Sequence, residues 1–225
     1  MIPLRTNVKK ISFPWVNWCI ILANCYVFYL EYLLSDIQLQ HLVNHWAVIP
    51  VHLFSNIRTY GYTLFTATFL HAGWLHIGSN MLFLHIFGGN VEDSLGHFKY
   101  LFFYLLVGAL ANGTQAFLSA HSSLPLIGAS GAIAGVLGCY FFFYPYARVM
   151  TLIPIFFFIT IREIPAFFFL GLWFILQTIN GTLTLSSQVI SKQNMGGIAW
   201  WAHASGFVSG MILAPALGKR KGKFS

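Results

Sequence analysis

Read for runs of apolar residues interrupted by polar ones, the chain divides into six long hydrophobic stretches, at about 12–34, 74–91, 98–119, 129–147, 164–181 and 198–217. Roughly 20 consecutive apolar residues in a helix cross a bilayer core, so the pattern predicts six membrane-spanning helices. The first stretch follows Arg5, Lys9 and Lys10, as the core of a secretory leader would. It is too long for that role and ends in Glu31-Tyr-Leu-Leu-Ser-Asp36 without a small-residue cleavage pattern, so it reads as an uncleaved anchor. The expected fold class is all-α, a single polytopic membrane domain over residues 1–225 with no separate soluble domain.

Composition agrees with that pattern. The 225 residues are 57% hydrophobic and 8% charged, against about 25% charged residues in a soluble domain. The net charge of +7 could suggest a nucleic-acid partner, but its distribution along the stretches points elsewhere. With the N-terminus inside, the inner loops receive Arg5, Lys9, Lys10, Lys99, Arg148, Arg162, Lys219, Arg220, Lys221 and Lys223, and the outer loops only Arg58 and Lys192. This is the asymmetry of a membrane protein with both termini cytoplasmic, and nucleic acid is excluded as the expected partner. A bacterial cytoplasmic membrane is the expected location.

In this topology the second, fourth and sixth stretches all run from outside to inside, so their first turns share one depth. The second opens with His71-Ala-Gly-Trp-Leu-His76-Ile-Gly-Ser-Asn80, the fourth with Gly128-Ala-Ser130-Gly131 and the sixth with Trp200-Trp201-Ala202-His203. Polar groups are costly in a bilayer and mark functional positions; here three insertions coincide. His76 and Asn80, four apart, share a helix face. Gly128, Gly131, Gly135 and Gly138 recur along the fourth stretch, and Gly206 and Gly210 form a G-x-x-x-G pair in the sixth. Such small faces let helix backbones approach, and Gly131 and Gly206 lie beside Ser130 and His203, so the same contact is expected to bring hydroxyl and imidazole together.

A serine hydroxyl becomes a nucleophile when a neighbouring base accepts its proton, and histidine suits that role. Ser130 and His203 fit the pair. No carboxylate falls at their depth: Glu92, Asp93 and Glu163 map to the inner side, and Glu31 and Asp36 to the end of the first stretch, which predicts a dyad. The oxyanion formed on attack needs waiting donors, for which Asn80, His76 and the backbone N–H of Ser130 are candidates. Water would enter from the outer face, past the loops at about 36–73 and 182–197.

Two other readings of polar residues are weaker. His41 and His45 are four apart and His52 follows, but they stand in a mixed apolar segment with only Asp36 as a nearby further ligand, which favours a segment lying at the membrane interface over a metal site. Cys19, Cys25 and Cys139 fall inside spans without metal-like spacing and read as apolar filler.

The segments Phe69–Asn80, Gly128-Ala-Ser130-Gly131-Ala-Ile-Ala-Gly135 and Ala202-His203-Ala-Ser-Gly206-Phe-Val-Ser-Gly210, in this order, resemble the rhomboid intramembrane serine proteases in their compact six-span form. The resemblance implies a Ser130–His203 catalytic dyad, an oxyanion hole lined by His76 and Asn80, and structural roles for His71 and Glu92. It also implies no metal or cofactor, and transmembrane-helix substrates cut near their outer ends, at small residues close to helix-weakening ones.

Two positions depart from the family. Ala134 stands where some members have a tyrosine stacked on the histidine, leaving Trp200 and Trp201 as candidate substitutes, and a Trp-Arg pair often found before the histidine segment is absent. The alternatives are a non-catalytic relative that binds transmembrane helices as a scaffold or chaperone and a small-molecule transporter. The retained serine and histidine count against the first, and the lack of self-similar halves against the second.

Overall fold

The computed structural model of the chain describes residues 1–155, 158–191 and 199–221. Strand β1 (Ile2–Thr6) leads to helix α1 (Trp15–Leu33). Four short helices follow, α2 (Asp36–Trp46), α3 (Pro50–Ser55), α4 (Ile57–Tyr60) and α5 (Thr63–Thr66), then a 3₁₀ turn at Ala67–Phe69. The long helices α6 (Trp74–Leu95), α7 (His97–Leu118) and α8 (Ser130–Phe143) come next. Strands β2 (Arg148–Ile155) and β3 (Phe158–Pro165) precede α9 (Ala166–Ser191) and α10 (Trp200–Leu217).

A six-helix pattern therefore recurs at the predicted places, with informative differences at the ends. The fourth helix stops at Phe143 instead of 147 because Pro145 cannot continue the backbone ladder and disfavours helical dihedrals at Tyr144, which adopts φ −130° and ψ 46°. The second continues to Leu95, through Glu92, Asp93 and Ser94, and ends at Gly96 with φ 84°, a left-handed backbone that glycine adopts without penalty. The segment 182–191, read as loop, belongs to α9; residues 192–198, the rest of that loop and the start of the sixth stretch, lie outside the described residues. The segment 36–73, expected to be an outer loop, is largely helical.

The all-α expectation is corrected by a three-stranded antiparallel sheet of order β1-β2-β3. Arg148 pairs with Pro165 and Ile155 with Phe158 in the β2–β3 ladder, while Ile2 faces Leu152 and Thr6 faces Val149 across β1–β2. The run from Arg148 to Pro165 is rich in β-branched and aromatic residues, which suit strands. Its apolar residues are too continuous to display a two-residue alternation, so by pattern alone it reads as a connection between spans.

α8 is the central helix. It packs on α6, α7 and α10, and every residue from Gly131 to Tyr140 is buried. Its glycines make this possible. A Cβ on Gly206 would overlap the carbonyl of Gly131, and one on Gly210 would overlap that of Gly135. α10 thus lies against α8 backbone to backbone.

Among the described residues, α1, α7 and the Ala166–Thr184 part of α9 are each long and apolar enough to cross a bilayer, and α8 is shorter and apolar. α6 carries Asn80, Asn90, Glu92 and Asp93, and α10 carries His203 and two glycines, which lowers their hydropathy.

The acidic pair at the end of α6 closes the far side of the bundle. α1 starts after Pro14 with no side-chain cap of its own. The Val16 and Asn17 amides instead donate to the Glu92 carboxylate at 3.1 and 2.7 Å. Asp93 accepts from the Ile11 and Ser12 amides at 2.8 and 3.1 Å. The structural role expected for Glu92 is thus to satisfy backbone donors that a helix start leaves open.

Candidate active site

Ser130 and His203 meet as the glycine pattern predicts. Ser130 is the first residue of α8 and His203 lies in the first turn of α10, and Ser130 Oγ is 2.7 Å from His203 Nε2. The turn before Ser130 is pinned by the Gly128 amide, which donates to the Ala67 carbonyl at 2.9 Å. Gly128 has φ +122°. It needs glycine for space as well, since a Cβ there would come within 2.7 Å of His76 Nε2.

Both oxyanion candidates on α6 lie near the serine in different ways. Asn80 lines the same cavity as Ser130 and His203, about 250 Å³ in volume, and its amide Nδ2 is buried without a hydrogen-bond partner among the described residues. A buried donor left open is uncommon enough to need an explanation, and here it borders a hydroxyl–imidazole pair. His76 stands at Gly128, two residues before Ser130. The Ala72 amide donates to its Nδ1 at 3.4 Å, which requires that nitrogen to be unprotonated and so leaves the proton on Nε2, the atom against Gly128. The Ser130 amide is the first of α8, one of the donors that a helix leaves without an intrahelical acceptor.

His71 backs this arrangement. Its ring meets that of His76 with centroids 5.0 Å apart, and its amide donates to both Glu31 oxygens, at 3.3 and 3.2 Å. Burial pushes its imidazole down to about 4, so it is neutral near pH 7. Glu31, read from sequence only as the end of a span, is buried and ties α1 to the start of the histidine segment.

Sequence reasoning missed three contributors. On α9, Trp173 stacks on His203 with centroids 5.9 Å apart at 29°, and Gln177 Oε1 is 2.7 Å from His203 Nδ1. Of the two proposed substitutes for the family tyrosine, Trp200 meets the ring edge-on at 6.3 Å. Trp201 packs instead at Gly181, where a Cβ would lie 3.0 Å from its Nε1. The third is Gln115 of α7, whose Oε1 accepts from the Trp201 and Ala202 amides at 3.1 and 3.2 Å. α10 has no side-chain cap of its own, so Gln115 caps it from a neighbouring helix. The available signal was a glutamine within an apolar helix, but sequence alone does not say what it faces.

The remaining candidates lie elsewhere. His45 packs with Trp46 and Tyr62, and His52 with Tyr60, all in the α2–α5 segment.

Chemically, a hydroxyl hydrogen-bonded to an imidazole beside open amide donors suits acyl transfer. The fold around it is that of a helical membrane protein. The sequence profile of the Rhomboid domain matches residues 58–220, and the chain belongs to the rhomboid family. Rhomboid-like protein 11, chloroplastic, of Arabidopsis thaliana is 35% identical over 100 residues, 43% of this chain and 35% of that protein. Rhomboid protein 1, mitochondrial, of Saccharomyces cerevisiae is 32% identical over 91 residues, 39% of this chain and 26% of the yeast protein. Inactive rhomboid protein 1 of Drosophila melanogaster is 33% identical over 76 residues, 34% of this chain and 5% of the fly protein. The matched segments thus span about a third or less of these relatives' lengths. Family membership and the apolar helices together make the chain an integral membrane protein.

Proposed function

We propose that this chain is an intramembrane serine endopeptidase that hydrolyses peptide bonds in or next to transmembrane helices of other membrane proteins. The observation that carries the reading is the 2.7 Å contact between Ser130 Oγ and His203 Nε2 beside the unpartnered amide of Asn80. In this mechanism Ser130 Oγ attacks the scissile carbonyl carbon as its proton passes to His203 Nε2. Asn80 Nδ2–H, His76 Nε2–H and the Ser130 amide donate to the oxygen that becomes negative. The same proton then moves from Nε2 to the leaving nitrogen as the C–N bond breaks, leaving an acyl-serine. Water attacks the ester carbonyl, gives a proton to Nε2, and Oγ leaves as it takes that proton back.

The reading includes six membrane crossings in one domain over residues 1–225, both termini on the cytoplasmic side of a bacterial inner membrane, and a site open to the outer face. The excess of Lys and Arg in the inner loops supports that orientation. Substrates are transmembrane segments whose cleavage site unwinds before attack, because helical amides are held by the backbone ladder. The fly relative bears the name inactive, which favours a second reading as a helix-binding scaffold without catalysis.

The test is co-reconstitution in liposomes with a single-span substrate carrying small residues and a helix-weakening residue near its outer end. Cleavage by the wild type that disappears in Ser130→Ala and in His203→Ala is the expected result. Tight binding of the substrate without cleavage by folded wild type would favour the scaffold.

A further inference from the structure

We infer that Gln177 is a positioning residue for His203, so that the site operates as a Ser130–His203–Gln177 relay assembled from three helices with a neutral third member. This rests on the proteolytic reading above and extends it to a residue on α9.

The hydrogen bonds fix the direction of each group. Gln177 Nε2 donates to the Trp173 carbonyl one turn earlier at 3.3 Å, so Oε1 is the atom turned to His203, at 2.7 Å from Nδ1. An amide oxygen is only an acceptor, so the imidazole proton must reside on Nδ1. That leaves the lone pair on Nε2, the atom 2.7 Å from Ser130 Oγ. The wrong tautomer would present an N–H to the hydroxyl and could not take its proton. Gln177 thereby selects the basic form of the histidine, the role a carboxylate plays in a serine-protease triad.

Gln177 is buried and borders the same cavity as Ser130 and His203. Trp173 and Gln177 are four apart on α9, hence on one face, and they hold the imidazole by its plane and by its far nitrogen. When His203 takes the serine proton, its Nδ1–H bond to Gln177 becomes charge-assisted and strengthens. This selective gain in the charged state is what raises rate rather than ground-state binding. Nucleophile, base and orienting group sit on α8, α10 and α9, so the base is set for reaction only while α9 is docked against α10.

The experiment is the kinetics of labelling by a soluble fluorophosphonate, with inactivation rate constant and binding constant measured separately for the full chain and for Gln177→Leu and Gln177→Glu, alongside thermal midpoints. Leucine matches the volume but offers no acceptor; glutamate offers one whether ionised or protonated. Gln177→Leu is expected to lower the inactivation rate constant by about 10- to 10³-fold, below the ~10⁴-fold loss when a triad's charged orienter is replaced. Its binding constant should stay within about threefold, and Gln177→Glu should restore most of the rate. Labelling by Gln177→Leu within twofold of wild type, or equal slowing in both variants, overturns the proposal. Absence of labelling in the folded wild type would instead sink the proteolytic reading and this proposal with it, so the two failures are distinct.

Discussion

At the sheet end of the bundle each oxygen of Glu92 and Asp93 is in use, holding backbone amides at Ile11, Ser12, Val16 and Asn17, with His97 Nδ1 on Glu92 as well. At the opposite end, Asn80 Nδ2 and His71 Nε2 are buried with no hydrogen-bond partner among the described residues. Both ends place polar side chains where desolvation is costly. The difference lies in whether the cost is already offset. Carboxylates engaged in this way fasten the end of α6 to the start of α1 and the segment before it. An open donor beside a serine–histidine contact gives up stability in the resting protein in exchange for stabilising charge that appears only during reaction.

Substitutions can break that contrast. Glu92→Ala should cost about 3 kcal/mol of stability, because removing one partner leaves buried donors unmet. Its effect on fluorophosphonate labelling of the surviving folded fraction should be small. Asn80→Ala should behave in reverse, leaving the thermal midpoint unchanged or raised while slowing labelling by about 10²- to 10³-fold. Denaturation in mixed micelles alongside labelling rates measures both. If Asn80→Ala destabilises as much as Glu92→Ala, the open donor is a structural group and the contrast fails.

Gly206→Val joins the two kinds of effect. Its side chain would overlap the Gly131 carbonyl, forcing α10 from α8 at a cost of about 1–3 kcal/mol. Because Gly131 follows Ser130, the same displacement should lengthen the Ser130–His203 contact and slow labelling. A variant that loses stability but labels at the wild-type rate would show that the glycine contact does not set that distance.

The smallest effect is expected at Gln115. Gln115→Ala removes the acceptor for the first amides of α10 and should cost about 1 kcal/mol, as loss of a helix cap does. Labelling should slow by less than for Asn80→Ala, since His203 loses its support but no group that meets the reacting atoms. A change in midpoint as large as that of Glu92→Ala would mean that the site end, too, is built chiefly for stability.

The sequence carried the helices well because apolar run length and breaker residues are local properties. It also carried the Ser130–His203 encounter, since Gly131 and Gly206 mark where backbones can touch. What escaped was decided by tertiary contact. Trp173 and Gln177 look like ordinary members of an apolar helix until α10 lies beside them, whereas Trp200 and Trp201 stand on the histidine's own helix and are the aromatic residues nearest to it in sequence. Glu31 looked like a span's polar end, although it binds the His71 amide across the fold. The sheet was hidden because Val149 and Thr151 are buried while Phe158, Ile159 and Ile161 are exposed, so apolar residues line it without a simple alternation.

Treating the detergent-purified protein with a fluorophosphonate and locating the adduct by peptide mass mapping, in wild type, Ser130→Ala and His203→Ala, tests the Ser130–His203 pair itself. An activated serine gives one adduct, on Ser130, lost in both variants while each keeps the wild-type thermal midpoint. A folded wild type without an adduct, or labelling that persists in His203→Ala at the wild-type rate, would contradict that activation.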